Sequence, residues 1–263
     1  MEVAGRIKQL CSVFISTDSI LVAFSGGVDS TFLLYVLKKF SDAKVSAMTI
    51  KTPYIPQWEV EEAEEFCMSM DIDHEILELP LDNSLLLNPP DRCYRCKTLL
   101  FGEIKKYAAD KGFNIIVDGS NADDTKDYRP GMRALRELDV RSPLLENGFT
   151  KEEIRKYLRE FELEIWDKPA YACLLTRIPY NTGITPGKLT LIEESERFMH
   201  KLGFPGTRVR LHENIARLEI STAYFTRILE EETRMKVVKE FKRRGIEFIS
   251  LDLEGYRTGS MNL

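Results

Sequence analysis

The stretch Ile20-Leu21-Val22-Ala23-Phe24-Ser25-Gly26-Gly27-Val28-Asp29-Ser30 sets the fold and the chemistry together. Five apolar residues in a row read as a buried strand, and Ser-Gly-Gly breaks it. The run Thr31-Phe32-Leu33-Leu34-Tyr35-Val36-Leu37-Lys38-Lys39 then reads as a helix apolar on nearly every face, which belongs between a sheet and its neighbours. A strand that turns directly into a helix gathers backbone N–H groups at the positive end of the helix dipole, where an anion fits. Glycine admits φ > 0 in the turn and, lacking Cβ, lets a phosphate approach the backbone closely. Ser25, Gly26, Gly27, Asp29 and Ser30 are therefore candidate nucleotide-binding residues. A carboxylate beside a phosphate repels it unless a divalent cation lies between them, so Asp29 points to Mg²⁺. Neither the Walker spacing nor the dinucleotide-binding Gly-x-Gly-x-x-Gly spacing is present.

Working outward, β-rich runs at 20–24, 45–50, 74–79 and 114–117 alternate with helical patterns, which predicts a doubly wound parallel α/β sheet. Thr150-Lys151-Glu152-Glu153 is a capping box that starts a helix running to about Glu160. The turn-rich stretch 167–185 reads as a loop that carries function. Beyond it, Thr185 as N-cap and Pro186 at the first helical position predict a helix over 186–202. Strands at 208–212, 215–220 and 248–251 and a helix over 224–243 complete a smaller α+β domain, with loosely held residues from Tyr256 onward. The expected division is 1–166, the loop 167–185, and 186–263.

Composition narrows the class. Thirty-seven basic against 42 acidic residues give a net charge of −5, and no basic run is present, which weighs against a nucleic-acid partner. No segment reaches the ~20 apolar residues of a membrane span and the first residues lack a signal-peptide pattern, so a cytoplasmic protein is expected. In that compartment the five cysteines are expected to be free thiols, metal ligands or catalysts.

A second polar block, Gly119-Ser120-Asn121-Ala122-Asp123-Asp124, follows directly on the strand ending at Val117-Asp118, where α/β folds bind ligands. Thr49 and Lys51, at the end of the second strand, are candidates to touch the base or ribose. Cys93-Tyr94-Arg95-Cys96 precedes a helix and leaves a redox pair, half a zinc site and a cluster ligand set all open. The histidines, His74, His200 and His212, stand at no ligand spacing from a cysteine, which weakens zinc. Three thiolates, with Cys173 as the third, suit an iron–sulfur cluster that leaves one iron open. Cys11 and Cys67 fall within helical patterns and read as buried small hydrophobes.

The Ser25–Ser30 and Gly119–Asp124 blocks resemble the two signature blocks of the PP-loop ATP pyrophosphatases, which cleave ATP between the α and β phosphates to adenylate a substrate oxygen. The segment around Cys173, through Arg177-Ile178-Pro179-Tyr180 and Ile184-Thr185-Pro186 to Leu202-Gly203-Phe204 and Arg208-Val209-Arg210, is similar to the LarE family of ATP-dependent sulfur transferases, over nearly the whole chain. That resemblance implies ATP and Mg²⁺ as cofactors. It also implies a small mononucleotide, pyridinium dicarboxylate mononucleotide, whose carboxylates become thiocarboxylates on the way to a nickel-pincer cofactor. Cys173 matches the family's sulfur-bearing cysteine, and the added Cys93 and Cys96 imply the branch whose three cysteines hold a 4Fe-4S cluster carrying an extra sulfide, as opposed to the branch whose single cysteine is sacrificed. A sulfide or other sulfur donor and a homo-oligomer built through the C-terminal domain are carried over in the same way.

Arg177, four residues beyond Cys173, is a candidate to favour the thiolate or bind phosphate. Arg208 and Arg210 alternate on a strand and so share a side, an arrangement suited to a phosphate, which in the family belongs to the substrate. Glu196 lies on the otherwise apolar stripe Leu189, Ile192, Met199 and needs a partner: it orients the arginines, contacts substrate, or forms a structural ion pair. Three rivals stand beside this reading. A tRNA-thiolating enzyme is disfavoured by the acidic charge, an amide-forming synthetase leaves the cysteines unexplained, and a nucleotide-sensing module would release no pyrophosphate.

Overall fold

In a computed structural model, which describes residues 2–15, 17, 19–126, 131–169 and 171–257, the chain divides into two compact units. The first comprises Met1–Thr52, Gln57–Pro80 and Asp91–Lys168. The second comprises Pro53–Pro56, Leu81–Pro90 and Pro169–Leu263.

In the first unit, α1 (Glu2–Ser12) is followed by β1 (Ser19–Ala23), α2 (Val28–Phe40), β2 (Lys44–Lys51), α3 (Gln57–Ser69), β3 (Asp73–Glu78), α4 (Arg92–Lys111), β4 (Ile115–Asp118), α5 (Gly131–Glu137), α6 (Pro143–Glu146) and α7 (Lys151–Glu160). The four strands are all parallel in the order β3-β2-β1-β4. Ala23 at the end of β1 stands level with Met48 on one side and Asp118 on the other. Because side chains alternate across a strand, Ile20 and Val22 pack on one face with Phe32, Leu33, Phe149, Ile154 and Leu158, while Leu21 packs on the other with Met48, Phe101, Ile104 and Ile116. A parallel sheet covered on both faces is the doubly wound arrangement expected from the sequence. The chain leaves β1 toward β2 on one side and β4 lies on the other, so the switch point falls between β1 and β4.

The capping box forms as expected: Thr150 Oγ1 accepts from the Glu153 amide at 3.3 Å, and Glu153 accepts from the Thr150 amide at 2.9 Å. Cys11 and Cys67 are buried in the core of this unit.

In the second unit, α8 (Pro186–Lys201) begins with Thr185 accepting from the Lys188 amide at 3.2 Å. Strands β5 (Arg208–His212) and β6 (Ile215–Glu219) form an antiparallel pair. They are followed by α9 (Phe225–Leu229), α10 (Glu231–Arg243) and β7 (Phe248–Leu251), which pairs in parallel with β6. Met199, Phe204, Val209, Leu218, Val237 and Phe241 share its core.

Two expectations are corrected. The single helix predicted over 224–243 is divided at Glu230, whose ψ of 136° is extended. Three successive glutamates at 230–232 oppose the negative C-terminal end of one helix but favour the positive start of another, and Glu231 and Glu232 occupy the first turn of α10. Tyr256, expected to be loosely held, is tied down: its amide donates to Ile220 O at 2.9 Å and its ring lies 5.1 Å from the Arg208 guanidinium. The remaining residues of that expectation, 258–263, lie outside the described residues.

Candidate functional site

Gly26 turns the chain out of β1 with φ +66°, and a Cβ there would lie 3.1 Å from both Ala63 Cβ and Glu59 O of α3. Gly27 is the N-cap of α2 and has no side chain to bond the first-turn amides, which an α-helix leaves without intrahelical partners. The loop braces itself instead. Ser30 Oγ donates to Gly27 O at 3.1 Å and lies 3.1 Å from Ser25 Oγ. The result is a pre-shaped cradle of N–H donors at the positive end of a 13-residue helix.

The β4 loop closes directly on that cradle. A Cβ on Gly119 would stand 2.8 Å from Ser30 N and 2.9 Å from Ser30 Cα, so only glycine permits the two loops to touch. Behind it, the buried Asp118 carboxylate accepts from the Ser120 and Ser142 hydroxyls at 2.6 Å each, with Lys97 Nζ at 3.9 Å. The Lys151 amide, at the start of α7, donates to Asp123 at 2.8 Å.

Asp29 occupies the first turn of α2, and its buried Oδ1 has no hydrogen-bond partner among the described residues. Burial raises its pKa to about 6; Lys151 opposes the rise and the neighbouring Asp124 charge adds to it. A desolvated carboxylate that feels the charge of a second one, beside a cradle built for an anion, fits a divalent cation.

Thr49 is placed differently from a ribose contact. It is buried, donates to Phe24 O at 2.8 Å and lies 2.8 Å from His74 Nε2, so its hydroxyl holds the end of β1. Lys51 pairs with Glu78 at 3.2 Å. Sequence reasoning missed the cations around the loops: Lys151 and Arg155 on α7, whose charges reach Asp29, and Lys168, whose ammonium donates to Gly26 O at 2.7 Å. Lysines and arginines on a charged helix or in a turn carry no pattern that separates such roles from solvation.

Cys93 and Cys96 lie in the opening turns of α4, three residues apart and so on one face, Cys93 exposed and Cys96 half-buried. Burial pushes the Cys11 thiol up to about 11 and that of Cys67 to about 12, which removes both from thiolate chemistry. Among the described residues no group of three or more His, Cys, Asp or Glu side chains is gathered as a metal-binding cluster.

In the second unit, the half-buried Cys173 is the N-cap of a single 3-10 turn, Leu174–Arg177. That turn is gripped from several sides. The Leu174 amide donates to Tyr54 O at 2.8 Å, and the buried Asn88 amide reaches Leu175, Ile178 and Pro179 carbonyls at 3.1, 2.7 and 3.1 Å. Arg177 is fully buried and donates to Glu196 through Nε at 2.8 Å and Nη2 at 3.0 Å, while Nη1 donates to Ala172 O at 2.8 Å and Thr176 Oγ1 at 2.7 Å. Glu196 also accepts from the Val209 amide at 2.9 Å. Burial would raise its carboxyl, but the Arg177 and Arg208 charges and these bonds outweigh that and hold it below the usual carboxylate range.

Arg208 lies between the Tyr171 and Tyr256 rings, 4.8 and 5.1 Å from their centroids. Burial and then the like charge of Arg177 lower its pKa from the ordinary guanidinium value. Arg210 turns instead to Glu219 at 2.7 Å and Thr176 O at 2.6 Å. The charges of two buried guanidinium groups, Arg177 and Arg208, thus both act on the Glu196 carboxylate.

A family model for the queuosine biosynthesis protein QueC matches residues 19–88, the span from β1 to just beyond β3. An uncharacterized protein of Synechocystis sp. is 34% identical over 260 residues, 98% of this chain and 97% of the relative. The pyridinium-3,5-bisthiocarboxylic acid mononucleotide synthase of Lactiplantibacillus plantarum is 33% identical over 267 residues, covering 98% of this chain and 94% of that enzyme. An uncharacterized protein of Methanocaldococcus jannaschii is 32% identical over 253 residues, 96% of each chain.

Proposed function

The chain belongs to the LarE family of sulfur transferases, and from that premise we propose that it is an ATP-dependent enzyme that converts the carboxylates of pyridinium dicarboxylate mononucleotide to thiocarboxylates for a nickel-pincer cofactor. The observation that carries the nucleotide half is the contact of the two loops at Ser30 and Gly119 beside the bare Asp29 oxygen. The queuosine-family match ends at residue 88, before Cys93, so it supports that half alone.

In the reaction, a substrate carboxylate oxygen attacks the α-phosphorus of ATP. The bond to the bridging oxygen breaks, and pyrophosphate leaves with that electron pair. The first-turn amides of α2 face the charge that builds on the leaving group, and they act without reorganising. Asp29, with Asp124 beside it, would hold magnesium, which when bound neutralises phosphate charge. A sulfur nucleophile then attacks the acyl carbon, and AMP departs with the electrons of the C–O bond, leaving a thiocarboxylate.

Cys173 is the proposed sulfur-handling residue. Arg177 holds the backbone before it at Ala172 O and, after it, the Thr176 hydroxyl, which itself donates to Cys173 O at 2.9 Å. Cys93, Cys96 and Cys173 are the three thiols outside the cores; they would hold a 4Fe-4S cluster, which supplies sulfide at its open iron. Glu196, Arg208 and Arg210 are proposed to serve the substrate phosphate, Glu196 by way of Arg177 and the charge of Arg208. No helix among the described residues is long and apolar enough to cross a membrane, and a cytoplasmic homo-oligomer completes the proposal.

The test is to incubate the anaerobically prepared protein with ATP, magnesium, sulfide and the mononucleotide, and to follow pyrophosphate, AMP and thiocarboxylate. Equal yields of AMP and thiocarboxylate are expected. Tight ATP binding without pyrophosphate would overturn the enzymatic reading.

A further inference from the structure

Lys168 is the last residue of the first unit and stands five residues before Cys173 in the chain. Its side chain is 14% exposed, and its ammonium divides itself between Gly26 O at 2.7 Å and Glu62 Oε2 at 2.5 Å. A largely buried ammonium that donates to a backbone carbonyl of the phosphate loop holds that carbonyl in one direction. In a trans peptide the carbonyl and the following N–H point opposite ways. Anchoring Gly26 O therefore aims the Gly27 amide.

The surroundings remove other settings of this peptide. On the α3 side, Glu59 O and Ala63 Cβ lie 3.1 Å from the position a Gly26 Cβ would take, so the turn has a wall behind it. The ammonium is held by Glu62 of the same helix. The backbone that carries Lys168 is itself fixed by Arg155 of α7, which donates to Trp166 O and to Lys168 O, the latter at 2.8 Å. An unbroken series of bonds thus runs from α7 through residues 166–168 to the Gly26 carbonyl.

We propose that Lys168 is a positioning residue for pyrophosphate: by holding Gly26 O it presents the Gly27 amide to the departing anion. This rests on the nucleotide reading of the loop. The residue touches neither the reacting atoms nor Asp29, so its effect is on affinity for the anion and on the state of one amide.

The experiment compares wild type with K168M, K168R and E62Q, using inorganic pyrophosphate with magnesium as the probe. It reads the dissociation constant by calorimetry, the Gly27 amide resonance by ¹⁵N-edited NMR, and the unfolding midpoint. In wild type the Gly27 resonance moves on titration. In K168M affinity falls about ten- to a hundred-fold, as for loss of a charge-assisted bond, and the Gly27 response is lost while α7 resonances stay in place. K168R, which retains a donor cation in a different shape, falls between wild type and K168M in both readouts, and E62Q weakens binding by about two- to five-fold.

A K168M protein that binds pyrophosphate as wild type does, with the same Gly27 response, overturns the proposal. If K168M fails to fold, K168R and E62Q decide: wild-type affinity and Gly27 response in both overturn it. Failure of wild type to bind either pyrophosphate or ATP overturns the nucleotide reading itself, a result distinct from the other two.

Discussion

Arg177 and Glu196 form a bidentate ion pair, 2.8 and 3.0 Å long, with both side chains fully withdrawn from solvent. One partner lies four residues beyond Cys173 and the other on α8, so a single pair ties the cysteine's turn to a helix and, through the Val209 amide, to β5. Removing one charge strands the other. E196Q is expected to lower stability by about 3–5 kcal/mol at neutral pH, read from urea unfolding. The Glu196 carboxyl lies below its unfolded value, so the stability it supplies is present above that unfolded value and is lost as pH falls through the folded one. The difference between wild type and E196Q should therefore shrink only in acid; a constant difference down to acid pH would mean that Glu196 ionisation is not its source.

Asp29 behaves in the opposite sense. With its pKa raised to about 6, its carboxylate is disfavoured by the fold. The stability linked to its protonated form is present below the unfolded value and is lost as pH rises through about 6. D29N should accordingly gain roughly 1–3 kcal/mol at pH 8 without magnesium and lose magnesium-dependent pyrophosphate release by two orders of magnitude or more. Wild-type pyrophosphate release should climb through the same pH range, with the midpoint falling as magnesium rises. A midpoint indifferent to magnesium would remove Asp29 from the metal site.

The contact between Gly119 and Ser30 leaves no space for a methyl group. In G119A the added Cβ meets backbone at 2.8 Å, and backbone yields less readily than a flexible side chain. We expect a loss of about 1–3 kcal/mol in thermal unfolding and a ten-fold or larger rise in KM for ATP.

The five cysteines divide by environment, and so should their chemistry. Iron and acid-labile sulfide are expected in anaerobically prepared wild type, absent from C93A, C96A and C173A, and retained in C67A, since Cys67 is fully buried. Matured wild type without iron would withdraw the cluster and leave a sacrificial Cys173, detectable as loss of its sulfur after turnover.

Much of this was readable along the chain because the signals are local. The strand-to-glycine break at Ser25–Gly27, the capping box at Thr150 and the Thr185-Pro186 helix start each depend on neighbours within a few residues. The break at Glu230 followed the same physics, but a continuous helical pattern over 224–243 hid it. Thr49 was misleading because a polar residue at a strand end looks alike whether it meets a ligand or, as here, Phe24 O and His74.

The strand-loop-helix, the second block after β4, the division of the cysteines and the family are legible along the chain, since residue type and spacing carry them. Tertiary structure alone decided that Gly119 must be glycine, that Glu196 grips Arg177 while Arg210 turns to Glu219, and that Lys168 holds Gly26. Each joins residues distant in the chain, and a charged side chain's partner depends on which backbones packing brings within hydrogen-bonding reach. Residue type records that a charge must be satisfied; the fold chooses what satisfies it.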